Sequence, residues 1–134
     1  MTQEEKKLLL IDLCARFPYG VKVHITDEWF YDKIEPYDRR LDCDVIKSIR
    51  ENQYTVKPYL RPMSSMTEEE KDNLQSLHDI ISNENYGDGY SPSAWNAITE
   101  WEDYCNARHL DYRGLIPMGL ALEAPEDMYN YEND

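Results

Sequence analysis

The chain has 134 residues, a size suited to one domain that closes its core without disulfides or metal. The formal net charge is −13 with 41% apolar residues, and no apolar stretch approaches the roughly 18 residues that a membrane span needs, so neither a membrane nor a polyanion is an expected partner. Three cysteines, Cys14, Cys43 and Cys105, are odd in number and lack CxxC spacing, which argues against a disulfide framework and for reduced, mostly buried thiols in a cytoplasm.

In chain order, residues 2–17 predict a helix. Thr2 and Glu5 have capping-box spacing, and Leu10, Leu13, Cys14 and Phe17 recur at helical intervals as an apolar stripe before Pro18 and Gly20 stop it. The MTQEEKK start runs into this helical pattern and lacks the features of a signal peptide. GVKVHIT, 20–26, alternates as a half-buried strand, with Val21, Val23 and Ile25 inward and Lys22, His24 and Thr26 outward. His24 there reads as a bystander, because a working histidine needs an orienting neighbour. WFYDKIE, 29–35, reads as the returning strand, broken by Pro36 and the charged YDRRLDCD that follows. VIKSI, 45–49, fits a strand or a short helix. QYTVKPYL, 53–60, reads as a strand, and Pro58 marks it as an edge or terminal position because proline donates nothing to a ladder.

Residues 57–62 then run out as a proline-stiffened exit. Thr67 and Glu70 form a second capping box, and Glu68 and Glu69 sit in the first turn of a helix over 68–82, where its dipole favours negative charge. Leu74, Leu77 and Ile81 give that helix an apolar face, with Ile80 beside it. A Gly-, Asn- and Ser-rich connection, 83–93, leads to Ser91-Pro92, a cap followed by an N1 proline, and a helix over 92–108. Ala94, Ile98, Trp101 and Cys105 share one face of it, while Trp95 and Tyr104 widen that face or point outward. The tail, 109–134, has no long period. It fits a helical turn near 111–116, an extended stretch after Pro117 and a last ten residues, 125–134, that fray at their end. The sum is an α+β fold: an N-terminal helix (2–17), a small twisted antiparallel sheet of three to five strands (20–62), a helical region (67–108) and an extended acidic tail, in one domain. Closure of the sheet into a small barrel is left open.

The charge is divided along the chain. Residues 1–62 hold 11 acidic and 11 basic side chains, whereas residues 63–134 hold 16 acidic ones against Lys71, Arg108 and Arg113. Nucleic acid is therefore not expected as a direct ligand of the second half. Solubility is the plain use of such a surface, and a basic protein partner is the functional one.

Three blocks, DLCARFPYGVKV at 12–23, KPYLRPMSSMTEEE at 57–70 and HLDYRGLIPMGLALEAPEDMY at 109–129, together resemble a group of short proteins of Bacteroides-type gut bacteria, their phages and other mobile elements. The resemblance implies a bacterial or phage cytoplasm and a gene cargo concerned with host takeover, defence or its evasion. It carries over no activity, fold or catalytic residue, and it leaves 27–52 without a counterpart.

No phosphate loop, dinucleotide fingerprint, zinc-protease or nucleophile-elbow motif is present. The densest chemical cluster is His109, Asp111, Tyr112 and Arg113, an alternative reading as the centre of a small enzyme of unassigned class; neighbours in a chain tend to diverge, and Arg113 pairing with a local carboxylate is the simpler account. Asp42 and Asp44 lack the rest of a calcium loop, and the cysteines lack the close spacing of a zinc site. No metal or cofactor is expected. The expected function is that of a small non-enzymatic protein that binds a basic or nucleic-acid-binding protein, including by mimicry of nucleic acid. The contact residues would be Trp95, Glu100, Glu102, Asp103, Tyr104, Tyr129 and Tyr131, because Trp and Tyr serve as interface anchors. A direct nucleic-acid site on the sheet, using Arg39, Arg40, Lys57 and Arg61, ranks last because equal numbers of acids lie nearby.

Overall fold

The computed structural model describes residues 1–27, 35–83, 85–86 and 89–129, with 85, 86, 89 and 90 described by backbone alone. Helix α1 spans Gln3–Arg16, strand β1 Lys22–Thr26, β2 Tyr37–Arg40, helix α2 Cys43–Arg50 and β3 Thr55–Leu60. Helix α3 (Glu68–Asn83), a two-residue hairpin of β4 (Asn85–Tyr86) and β5 (Gly89–Tyr90), helix α4 (Pro92–Ala107) and β6 (Leu122–Glu123) follow.

The four-stranded sheet runs β2-β1-β3-β6. β1 is antiparallel to β2 and β3, and β6 is parallel to β3. The class is α+β, but the sheet is mixed rather than antiparallel throughout, because the chain passes through α3 and α4 before it returns beside β3. That connection is long enough for a parallel pairing. β2 and β6 remain as edges.

β1 buries Val21, Val23 and Ile25 as its alternation requires. These meet Leu9 and Leu13 of α1, Val45 and Ile49 of α2, and Val56 and Leu60 of β3 in the main core. The α2 segment is the one whose pattern fitted either element. Asp42 decides for helix: its Oδ1 accepts the Val45 N–H at 2.9 Å, and Val45 and Ile49, one turn apart, face the core. Asn52 ends the helix at φ 55, with its N–H on the Ile49 carbonyl and the Gln53 N–H on the Ser48 carbonyl. That is a Schellman stop, for which Asn is suited.

Several expectations are corrected. The returning strand is the fully exposed β2 at 37–40; the segment expected there, 29–35, lies outside the described residues except for Glu35, which is not in a strand. YDRR looked too charged for a strand, but charged side chains suit a sheet edge. β3 is interior, paired on both sides, although β6 meets only Tyr59 and Leu60, so the stretch holding Pro58 lacks a β6 partner. The apolar stripe of α1 is rotated. Leu9, Asp12, Leu13 and Arg16 are its buried side chains, while Cys14 and Phe17 are exposed. Cys43 is exposed as well, and only Cys105 is buried.

Both capping boxes form. The Thr2 Oγ1 accepts the Glu5 N–H, and Glu5 accepts the Thr2 N–H; Thr67 and Glu70 exchange the same pair of bonds. Ser91 caps α4 with Pro92 behind it, accepting the Ala94 N–H at 3.1 Å. A second cluster joins α3 to α4 through Leu74, Cys105 and Leu110, with Trp101, Tyr104 and Tyr112 packed on it.

Residues 125–129 return to the sheet, whereas the end of the tail, 130–134, where fraying is expected, lies outside the described residues. The Tyr129 hydroxyl accepts the Lys22 N–H at 2.9 Å and donates to the Tyr59 carbonyl at 2.8 Å, so a phenol bridges two backbone groups where β1 and β3 part. Tyr129→Phe is expected to cost about 1–3 kcal/mol, because it leaves that donor and acceptor unsatisfied. Denaturant unfolding would check the cost, and hydrogen exchange over 122–129 should speed up.

A candidate interaction surface

Helix α4 has two unlike faces. Ala94, Ala97 and Cys105 are buried against the rest of the protein, and Ile98 and Trp101 are half-buried beside them. The opposite side carries Trp95, Asn96, Thr99, Glu100, Glu102 and Asp103, all exposed. Their order follows from helical geometry, since positions three, four and seven apart share a face. Trp95 is 58% exposed, the largest side chain among the exposed apolar ones.

The acids of this half stay open. Of the sixteen acidic residues beyond 62, ten are exposed (Glu68, Glu69, Asp72, Asp79, Glu100, Glu102, Asp103, Glu123, Glu126 and Asp127) and Glu70 and Asp111 are buried. The other four, at 84, 88, 132 and 134, lie outside the described side chains. Among the described residues, the ion pairs made by these acids are Lys71–Glu68 and Arg61–Glu70, so Arg61 reaches the first turn of α3 while Glu100, Glu102 and Asp103 of α4 take no ion pair from the sheet region. A hollow of about 1060 Å³ beside the start of α3 has Glu69, Glu123, Glu126 and Asp127 among its lining residues, together with Arg61 and Arg108.

The remaining expected contact residues are placed differently. Tyr104 is half-buried in the seam between helices, its hydroxyl accepting from the Asn73 side chain at 3.1 Å and its ring under Arg108. Tyr129 points inward, as described, and stacks on His109 at 3.8 Å between ring centroids. Tyr131 lies outside the described residues. The structure therefore gathers Trp95, Glu100, Glu102 and Asp103 on one face and withdraws Tyr104 and Tyr129 from it.

The His109–Arg113 cluster diverges. His109 is 3% exposed and sits at φ 58 in the Schellman stop of α4, a conformation that a non-glycine residue adopts only with support. Its stack on Tyr129 supplies a partner. The Asp111 carboxylate accepts the N–H groups of Leu115 and Ile116 at 2.8 and 2.9 Å. Tyr112 bonds Asn106 and meets Trp101 edge-on. Arg113 reaches not a local carboxylate but Asp12, 101 residues away in the chain, at 2.8 Å. Arg113 also lies over the Tyr112 ring at 4.6 Å, but the four side chains have structural partners of their own and do not meet at one point.

Burial, and then the charges of Arg16 and Arg61, bring the His109 pKa down to about 3. The folded protein thus keeps His109 neutral while an unfolded chain takes up a proton below the ordinary value of 6.5. This group contributes a loss of stability as pH falls from 6.5 towards 3, and no change above 6.5. His109→Phe is expected to flatten the stability profile between pH 6.5 and 4.5, measured by denaturant midpoints; an unchanged slope would contradict the assignment.

His24 is not alone. Its Nδ1 lies 2.7 Å from Asp38 Oδ1 across the β1–β2 pair, and the Tyr59 hydroxyl donates to the same oxygen at 2.8 Å. The His24 contact, then that of Tyr59, lowers the Asp38 pKa, while burial and Asp38 raise that of Tyr59 to about 12. Only strand register could have revealed this trio. Among the described residues, no three His, Cys, Asp or Glu side chains gather as metal ligands, and no helix is long and apolar enough to cross a membrane.

No family model, curated protein or solved structure matches the chain.

Proposed function

We propose that this is a small non-enzymatic interaction protein that binds a basic protein partner through the outer face of α4. The observation that carries the reading is the exposed set of Trp95, Glu100, Glu102 and Asp103, with no lysine or arginine among the described residues paired to those acids. Opposite charge accelerates encounter and fixes register, and Trp95 at the N-terminal end of the set supplies apolar area. A nucleic-acid-binding protein is the partner whose surface best fits, since carboxylates at this density compete with phosphates for its Lys and Arg side chains. The resemblance of three sequence blocks to short proteins of gut bacteria and their phages makes a bacterial cytoplasm the compartment of this proposal.

The immobilised protein and its E100K/E102K/D103K variant, exposed in parallel to bacterial lysate, test this. The expected result is a basic protein retained by the unmodified protein, released by high salt and by competing DNA, and not retained by the variant. Equal retention by both would overturn the α4 assignment.

A further inference from the structure

The second apolar feature of the surface lies between α1 and α2. A hollow of about 600 Å³ there is lined by Gln3, Lys6, Lys7, Leu10, Ile11, Cys14 and Arg50, and a neighbouring one of about 530 Å³ shares Arg50 and adds Cys43, Ile46, Lys47 and Glu51. Ile11 is 48% exposed at its edge. The floor is aliphatic, and the charged rim carries four basic residues against Glu51. Lys6 is already tied to the Arg50 carbonyl and to Asn52, whereas Lys7, Lys47 and Arg50 are exposed.

This groove is the chemical complement of the α4 face. One has aliphatic side chains bordered by cations; the other has an exposed aromatic side chain with three carboxylates one to two turns further along the same helix face. Resting on the reading of α4 above, we infer that a second copy of this chain is a partner of that face, with α4 of one copy seated in the α1–α2 groove of the other. The net charge of −13 does not forbid it. At physiological ionic strength charges are screened over about 8 Å, so the local pairs across the contact outweigh acids elsewhere on the two copies. The two surfaces differ, so the contact is heterologous and joins copies into a ring or an open series, unless two copies exchange helices reciprocally.

Sedimentation over a range of concentrations tests this with two charge-reversed proteins, E100K/E102K/D103K and K7E/K47E/R50E. All six positions are exposed, so the fold is retained, as circular dichroism will verify. Expected is concentration-dependent association of the unmodified chain, single-chain mass for each variant alone, and association restored when the two are mixed, since each then offers the other a complementary pair. Trp95→Ala is expected to weaken association about tenfold or more, as for an aromatic anchor seated in an apolar groove. A single-chain mass for the unmodified protein at every concentration, or association indifferent to both charge reversals, would overturn the inference. The proposed function is read separately, by binding of protamine as a basic probe. Probe binding lost in E100K/E102K/D103K but present in a monomeric unmodified protein would leave that function standing without self-association; no probe binding by K7E/K47E/R50E, whose α4 face is intact and uncovered, would remove both.

Discussion

Asp12→Ala is expected to destabilise the protein by about 3–5 kcal/mol, the cost of leaving a buried charge without its partner. Asp12 and Arg16 are both 0% exposed. One carboxylate oxygen accepts from Arg16 Nε at 2.9 Å, and the other accepts from Arg113 at 2.8 Å. Arg16 also donates to the Leu110 carbonyl at 2.6 Å, and the two guanidinium groups lie 5.5 and 4.6 Å from the Tyr112 ring centre. Asp12 thus binds α1 to the segment after α4, and its loss strands one fully buried cation and one half-buried one. Asp12→Asn keeps the shape and removes the charge, so its effect should approach that of alanine. Chemical denaturation of the three proteins measures this. A loss below about 1 kcal/mol, the range of exposed pairs, would show that the pair is not needed for stability.

Glu70→Gln is expected to be nearly as damaging, at about 3 kcal/mol. The Glu70 side chain is 4% exposed, and it receives Arg61 through two bonds of 2.7 and 2.8 Å. It also accepts the Thr67 N–H at 2.9 Å, so one carboxylate both caps α3 and anchors the chain leaving β3. Burial alone would raise its pKa; the bonds from Arg61 and Thr67, with the charges of Arg61 and Arg108, outweigh that and bring it down to about 2. The folded state therefore holds the carboxylate charged where an unfolded chain would protonate it. Its contribution is full above about pH 4.5 and is lost as pH falls through about 2. Glu70→Gln should lower stability at neutral pH and flatten the profile between those limits. A parallel downward shift with the slope retained would place the acid sensitivity elsewhere.

What the sequence disclosed and what it hid divide along physical lines. Local signals held: the two capping boxes, the Ser91-Pro92 start and the inward set Val21, Val23 and Ile25 all depend on residues close in the chain. The α1 face was misplaced because Asp12 and Arg16 count as polar in any periodicity, and their burial is licensed by Arg113 and Leu110, about a hundred residues away. β6 has two residues, and nothing in so short a segment announces a parallel pairing with Tyr59 and Leu60. At the surface, the charge division along the chain pointed to α4, and Trp95 with Glu100, Glu102 and Asp103 does form one exposed face. Tyr104 and Tyr129 were chosen by residue type, and type does not distinguish a contact aromatic from one whose hydroxyl satisfies internal groups. The apolar hollow of α1 and α2 was hidden by the same rotation of α1 that exposes Ile11.

Binding of cations by the α4 face, as proposed, must weaken as salt screens its carboxylates. The captured partner's dissociation constant should be measured against ionic strength for the unmodified protein and for E100K/E102K/D103K. The expected affinity falls steeply with salt for the first and is weak and nearly flat for the second. Equal affinities and equal slopes would show that the carboxylates of α4 serve only to keep the protein in solution.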